Sequence, residues 1–160
     1  MTTEESSITD EMRAHVGVES RPWVMEVERG AIQRFAEAIS DPNPMFYDEE
    51  YAKNSRYGGT IAPVGFFGWP VGEPPPLTTV ESPFIRRVNG GNDFTYNRPV
   101  YAGERLIASR RLAKIYERQG NPRTGRMMFI INETVYRDLS GKIVAISRNT
   151  GISYQGPTSS

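Results

Sequence analysis

The sequence has no cysteine and only one histidine, His15. The first absence excludes a disulfide framework, a thiolate metal site and a cysteine nucleophile. With one imidazole and no clustered carboxylates, no metal-ligand constellation is legible, and no cofactor is expected. Net charge is also lacking. The 19 basic residues balance 19 acidic ones, so nothing draws the chain generally to nucleic acid or to an anionic membrane. Long hydrophobic runs are missing. The longest apolar stretch, residues 60–71, is too short and too rich in glycine and proline to span a bilayer. Residues 1–10 are polar and acidic and lack the apolar centre of a signal peptide. The expectation is a soluble, cytoplasmic protein. Internal repeats are absent as well. Gly58-Gly59 and Gly90-Gly91 lack the strand, helix and lysine of a phosphate-binding loop.

The 160 residues, 38% of them hydrophobic, suffice for one domain that folds without staples. Residues 1–7 and 156–160 read as disordered ends, leaving a domain over 8–155. Ser7 and Asp10 have capping-box spacing ahead of a short helix that stops near Gly17. Residues 23–27 alternate as a strand. The clearest helix is 31–40, where Ile32, Phe35, Ala36 and Ile39 form one apolar stripe. Asp41-Pro42-Asn43-Pro44 breaks it, because neither proline can continue the hydrogen-bond ladder. Asp48 is placed to cap a further short helix carrying Tyr51 and Ala52. Residues 61–69 are apolar and fit the start of a buried helix. The period then changes from 3.6 to 2, with strands predicted over 93–99, 104–117, 126–138 and 142–154. On the third of these, Met128, Ile130, Asn132, Thr134 and Tyr136 share one face. Asp138-Leu139-Ser140-Gly141 reads as a tight hairpin turn, and Gln119-Gly120-Asn121-Pro122 as a longer loop. Helices followed by long antiparallel strands argue an α+β fold, a curved sheet with helices on one face and an edge that favours dimers.

Chemistry concentrates around Phe35-Ala36-Glu37-Ala38-Ile39-Ser40-Asp41-Pro42-Asn43-Pro44-Met45-Phe46-Tyr47-Asp48. This stretch resembles the MaoC-like (R-specific) enoyl-CoA hydratases and their dehydratase relatives, whose motif reads roughly G-D-x-N-P-[LIV]-H at the end of a helix. Asp41, Asn43, Pro44 and Met45 match it. Ser40 replaces a glycine, and Phe46 stands where the histidine should be. Gly59-Thr60-Ile61-Ala62-Pro63-Val64-Gly65-Phe66 resembles the family's entry to its buried helix. Tyr96-Asn97-Arg98-Pro99-Val100-Tyr101-Ala102-Gly103-Glu104 resembles its strand-turn element. The resemblance spans roughly residues 8–154 and implies the hot-dog fold, an antiparallel sheet wrapped around a central helix.

It also implies roles. In the family an Asp–His pair manages hydration or dehydration of an acyl-CoA or acyl-carrier thioester. A backbone N–H at the start of the buried helix steadies the charge that develops on the thioester oxygen. Asp41 is then the retained acid/base candidate, Asn43 orients the loop or substrate, and Gly65 offers the oxyanion N–H. Phe46, Tyr47, Phe66, Phe67 and Trp69 would line the acyl site. Phe46 cannot transfer a proton, and Tyr47, with an ordinary pKa near 10, is a poor base. Family hydratases built from two hot-dog units carry the Asp–His pair in only one. This chain resembles the other kind of unit, which shapes the acyl tunnel, as in heteromeric dehydratases of steroid side-chain and mycolic-acid systems. The expected partner is a catalytic MaoC-like subunit in a heterodimer, or a second copy in a homodimer. An autonomous hydratase using Asp41 and a non-catalytic acyl-CoA binder are the alternatives.

Plainer readings stand beside these. Asp41 and Asn43 serve equally well to organise the Pro-Asn-Pro turn. Phe46 and Tyr47 serve as core. Gly65 serves close packing, and His15 packs on a short helix. The proline-rich segment 71–83 is a lid over a bulky acyl group or a solvated insertion. Arg86-Arg87, Arg110-Arg111 and the 114–126 hairpin either meet CoA phosphates or are solvated strand faces.

Overall fold

A computed structural model of the chain describes residues 6–68, 74–75 and 80–157. The expected alternation in the second half builds long strands: β2 (Arg86–Tyr96), β3 (Arg105–Gln119), β4 (Arg126–Arg137) and β5 (Ile143–Tyr154), with β1 (Trp23–Glu26) ahead of them. They form one antiparallel sheet in the order β1-β3-β4-β5-β2. Asp138 ties the β4–β5 turn, its Oδ1 accepting from the backbone N–H groups of Ser140 and Lys142 at 2.9 and 3.0 Å. Gly141 there has φ +86°, a left-handed value that glycine adopts without steric cost.

Among the described residues, three short helices precede β2: α1 (Asp10–Ala14), α2 (Arg29–Ala38) and α3 (Glu49–Asn54). The cap of α1 is Thr9 rather than Ser7, with Thr9 Oγ1 accepting from Met12 N at 3.2 Å. Ser7 N instead donates to Glu117 Oε1 on β3 at 3.1 Å. Asp48 caps α3 as its spacing suggests, accepting from Tyr51 N at 3.0 Å. Helix α2 buries Ala31, Ile32 and Ala36. Ile39, read as the end of that stripe, is 51% exposed, because α2 ends at Ala38 and the chain turns away.

Two sequence expectations need correction. The strand expected over 93–99 runs from Arg86 to Tyr96. Its first half escapes pattern reading because it lies exposed along the sheet edge, held by main-chain pairing with β5. A bulge at Asn89/Gly91 breaks its alternation. Gly91 has φ +121°, and a Cβ on Gly90 would stand 2.8 Å from Ile152. The buried helix expected from 61–69 is, among the described residues, a single 3-10 turn at Phe66–Gly68. Gly65, with φ +92°, turns the backbone out of right-handed helix just before it. Against the inner face of the sheet, Ile32 and Ala36 of α2, Ala52 of α3 and Phe66 and Phe67 of this turn share one core.

Side chains on that inner face divide into two apolar clusters. Beside α2, Met25, Ile32, Phe46, Phe66, Leu106, Tyr136 and Val144 pack together. Each fully buried side chain of this size is worth roughly 1.5–3 kcal/mol. Near the opposite strand ends, Ile8, Phe84 and Met128 pack with Met12, Ile115 and Ile130.

Candidate functional site

The Asp41 loop is built by its own side chains. Asp41 N donates to Ala36 O at 2.9 Å, closing α2. Asp41 Oδ1 accepts from Asn43 N at 3.0 Å. Asn43 Oδ1 in turn accepts from Met45 N at 3.0 Å, capping a 3-10 turn over Pro44–Phe46. Ser40, ahead of them, has φ +55°, the left-handed value that a glycine would take freely. The Tyr47 hydroxyl donates to Asp41 O at 2.8 Å. Burial, then the Glu37 and Asp41 carboxylates, push the Tyr47 phenol above its ordinary pKa. It is a neutral hydrogen-bond donor, not a base. Phe46 is buried in the α2 cluster, so no proton-transferring group occupies that position.

Gly65 and the two phenylalanines after it stand closer to the sheet. A Cβ on Gly65 would meet the Phe35 ring at 3.4 Å. Phe66 is fully buried, edge-on to Phe35 with centroids 6.1 Å apart. Phe67 stacks on Tyr136 at 4.1 Å and on Tyr96 at 5.6 Å. Burial pushes the Tyr96 phenol up, and the Gly65 backbone beside it pulls the other way, although the hydroxyl lacks a partner with full hydrogen-bond geometry. Trp69 lies outside the described residues. His15 caps the C-terminus of α1, and Gly17 beside it bonds to Leu112 on β3. Among the described residues no three His, Cys, Asp or Glu side chains cluster to hold a metal.

The strand-turn element is held by charge. Arg98 forms a two-pronged pair with Glu104, at 2.8 and 2.9 Å. Glu104 Oε1 also accepts from Tyr101 N at 3.0 Å. These contacts fix the bend between β2 and β3, a structural task.

Between the two apolar clusters, the inner face turns polar. Register and alternation bring Arg110, Thr134 and Ser147 into one cross-strand row and Asn132, Asn149 and Asn92 into the next. With Phe67 they line a cavity of about 280 Å³. A second cavity of about 310 Å³ shares Asn132 and continues past Leu112, Ile130 and Gly151 towards Ser82 and Ser153. Asp41, Asn43, Phe46, Tyr47 and Gly65 line neither of them. Burial pulls the Arg110 guanidinium below its ordinary value, against a smaller opposing effect of Tyr136.

A family model described as the FAS1-like dehydratase domain region matches residues 14–147. The chain belongs to this dehydratase family. A curated relative, a UPF0336 protein of Streptomyces avermitilis, is 38% identical over 101 residues, covering 60% of this chain and 67% of that one. Among solved structures, the C-terminally truncated HadBC (3R-hydroxyacyl-ACP dehydratase) complex of Mycobacterium tuberculosis is similar at TM-score 0.66 and 21% identity, covering 87% of this chain and 97% of that one. The ChsH1–ChsH2 complex of the same organism gives TM-score 0.65 at 22% identity, covering 88% and 86%. A MaoC-like dehydratase of Rhodospirillum rubrum gives 0.58 at 21%, covering 89% and 94%. The fold is thus the hot-dog fold of the MaoC-like dehydratases, as the sequence motifs implied.

Within this dehydratase family frame, the structure brings Phe66 and Phe67 to the sheet and leaves Asp41 and Asn43 in a loop at one end. The polar belt was missed as a site. Its signal was present: Asn132 and Thr134 interrupt an otherwise apolar row on β4, and Arg110 is in register with Thr134.

Proposed function

We propose that this chain is an acyl-thioester-binding subunit of a MaoC-like enoyl-CoA hydratase or 3-hydroxyacyl dehydratase, acting in the cytoplasm. It completes the acyl tunnel for a partner that carries the Asp–His pair. The observation that carries this reading is the state of the Asp41 loop. Its carboxylate is engaged by the Asn43 N–H, and buried Phe46 stands in the histidine position, so the loop has no pair able to pass a proton both ways. Two further features support a subunit role. The similar HadBC and ChsH1–ChsH2 structures are complexes of two named components. The outer edge of β2 also leaves a long row of backbone groups for a second sheet, in a homodimer or a heterodimer.

The test is hydration of crotonyl-CoA and longer enoyl-CoAs by the purified chain, followed at the enoyl absorbance band, beside calorimetric binding of the saturated acyl-CoA. Binding without turnover is expected, with turnover appearing when the catalytic partner is added. Turnover by the chain alone, lost in Asp41→Asn, would establish an autonomous hydratase instead. Binding without turnover even beside the partner would mark a non-catalytic acyl-CoA binder.

A further inference from the structure

The guanidinium groups around the polar belt differ in how they are paired. Arg111, next along β3, pairs with Glu133 at 2.6 Å, Arg148 pairs with the same carboxylate at 2.8 Å, and Arg98 pairs with Glu104. Arg110 has no such pair among the described residues. Its guanidinium lies over the Trp23 ring at 5.8 Å, and its Nε is buried with no hydrogen-bond partner. The amides nearby do not satisfy it. Asn149 Nδ2 donates to Asn92 Oδ1 at 2.9 Å and to Asn89 Oδ1 at 3.2 Å, so these amides satisfy one another. Asn132, where the two cavities meet, makes no side-chain hydrogen bond to the described residues. The buried Arg110 Nε is costly to leave unpaired, and half-buried Asn132 offers a free amide beside it on the cavity wall.

The position of this surplus says what arrives. Phe67 walls the cavity and lies two residues after Gly65, a span of at most about 7 Å. An acyl chain whose thioester end lies near Gly65 would pass Phe67 and meet Arg110 and Asn132 within a few carbons. The two cavities share Asn132, and at about 310 and 280 Å³ they lie near the lower end of the size range of small-molecule sites.

We infer that the Arg110–Asn132 cavity binds an oxygen-bearing acyl group, one with a ketone, hydroxyl or carboxylate oxygen several carbons from the thioester. This deepens, and rests on, the reading of the chain as an acyl-thioester binder. An unsubstituted alkyl chain in the same place would leave both side chains desolvated and unpaired, so the site discriminates by oxygen rather than by length.

The test is calorimetric titration of the full chain with octanoyl-CoA, 5-oxo-octanoyl-CoA, 7-oxo-octanoyl-CoA and suberoyl-CoA. At least one oxygenated chain is expected to bind about tenfold more tightly than octanoyl-CoA. Arg110→Met and Asn132→Leu should each shrink or abolish the ratio between oxygenated and octanoyl chains, with octanoyl-CoA binding no more weakly than before, because the alkyl chain then desolvates one unpaired polar group fewer. Should Arg110→Met lower the melting temperature sharply, Asn132→Leu decides. Octanoyl-CoA binding as tightly as every oxygenated chain, or a preference that survives both substitutions, overturns the inference while the thioester reading stands. Failure of all four thioesters to bind overturns that reading, and the inference with it.

Discussion

The Asp41 loop and the Arg110 belt lie on the same domain and invert each other. The loop carries the recognisable motif, yet one side-chain oxygen of each of its polar residues is tied to its own backbone: Asp41 Oδ1 to Asn43 N, Asn43 Oδ1 to Met45 N, and the Tyr47 hydroxyl to Asp41 O. The belt carries no motif, yet it places an arginine with an unpartnered Nε beside a cavity. The motif residues build a turn whatever chemistry they serve. Conversely, polar side chains gathered across four strands leave no local signature, because each is an isolated residue in its own strand.

Substitutions can break or sharpen this contrast. The largest effect is expected where the loop end of the sheet is simply core. Phe66→Ala should cost about 3–5 kcal/mol by denaturant unfolding, as a fully buried ring leaves a cavity; a loss near zero would mean the aromatic end is a binding surface instead.

Next comes Glu133, buried on the outer face of the same stretch of β4 and held by Arg111 and Arg148. Burial alone would raise its pKa, but the two arginines together outweigh that and leave it lowered. Its proton is bound less readily folded than unfolded. The stabilisation is therefore complete above the unfolded carboxylate value near 4.3 and is lost as pH falls through the lower folded value. Glu133→Gln should cost about 2 kcal/mol at neutral pH and flatten the acid limb of a stability–pH curve. An unchanged acid limb would show that Glu133 does not govern it.

Asp41 gives a smaller effect with a diagnostic pattern. Asp41→Ala should cost about 1 kcal/mol, in line with loss of a capping side chain. Asp41→Asn keeps an Oδ1 acceptor and should cost less. Equal losses in thermal melts would argue that the charge, not the acceptor, matters. The smallest effect is a gain: Ser40→Gly relieves a left-handed backbone and should raise stability by up to about 1 kcal/mol. A drop instead would mean that the Ser40 side chain contributes more than its backbone costs.

Much of the fold was legible from particular residues. The period-2 alternation of β3, β4 and β5, the Asp138–Gly141 turn, the break at Asp41-Pro42 and the Asp48 cap are set by neighbours close in sequence, and all stand in the structure. The first half of β2 was not legible, since an exposed edge strand carries no burial pattern and its pairing with β5 is made by backbone groups common to every residue. The start of a buried helix read into 61–69 is, over the described residues 61–68, a 3-10 turn only, because apolar composition reports burial, not the dihedral at Gly65. The sequence by itself therefore determined the α+β class and the Asp41 turn, because those depend on periodicity and local hydrogen bonding, while the family was carried by its resemblance to known motifs. Only the tertiary structure decided that Arg110 would face Asn132 over a cavity, because strand register, fixed by main-chain pairing over distant segments, places them side by side.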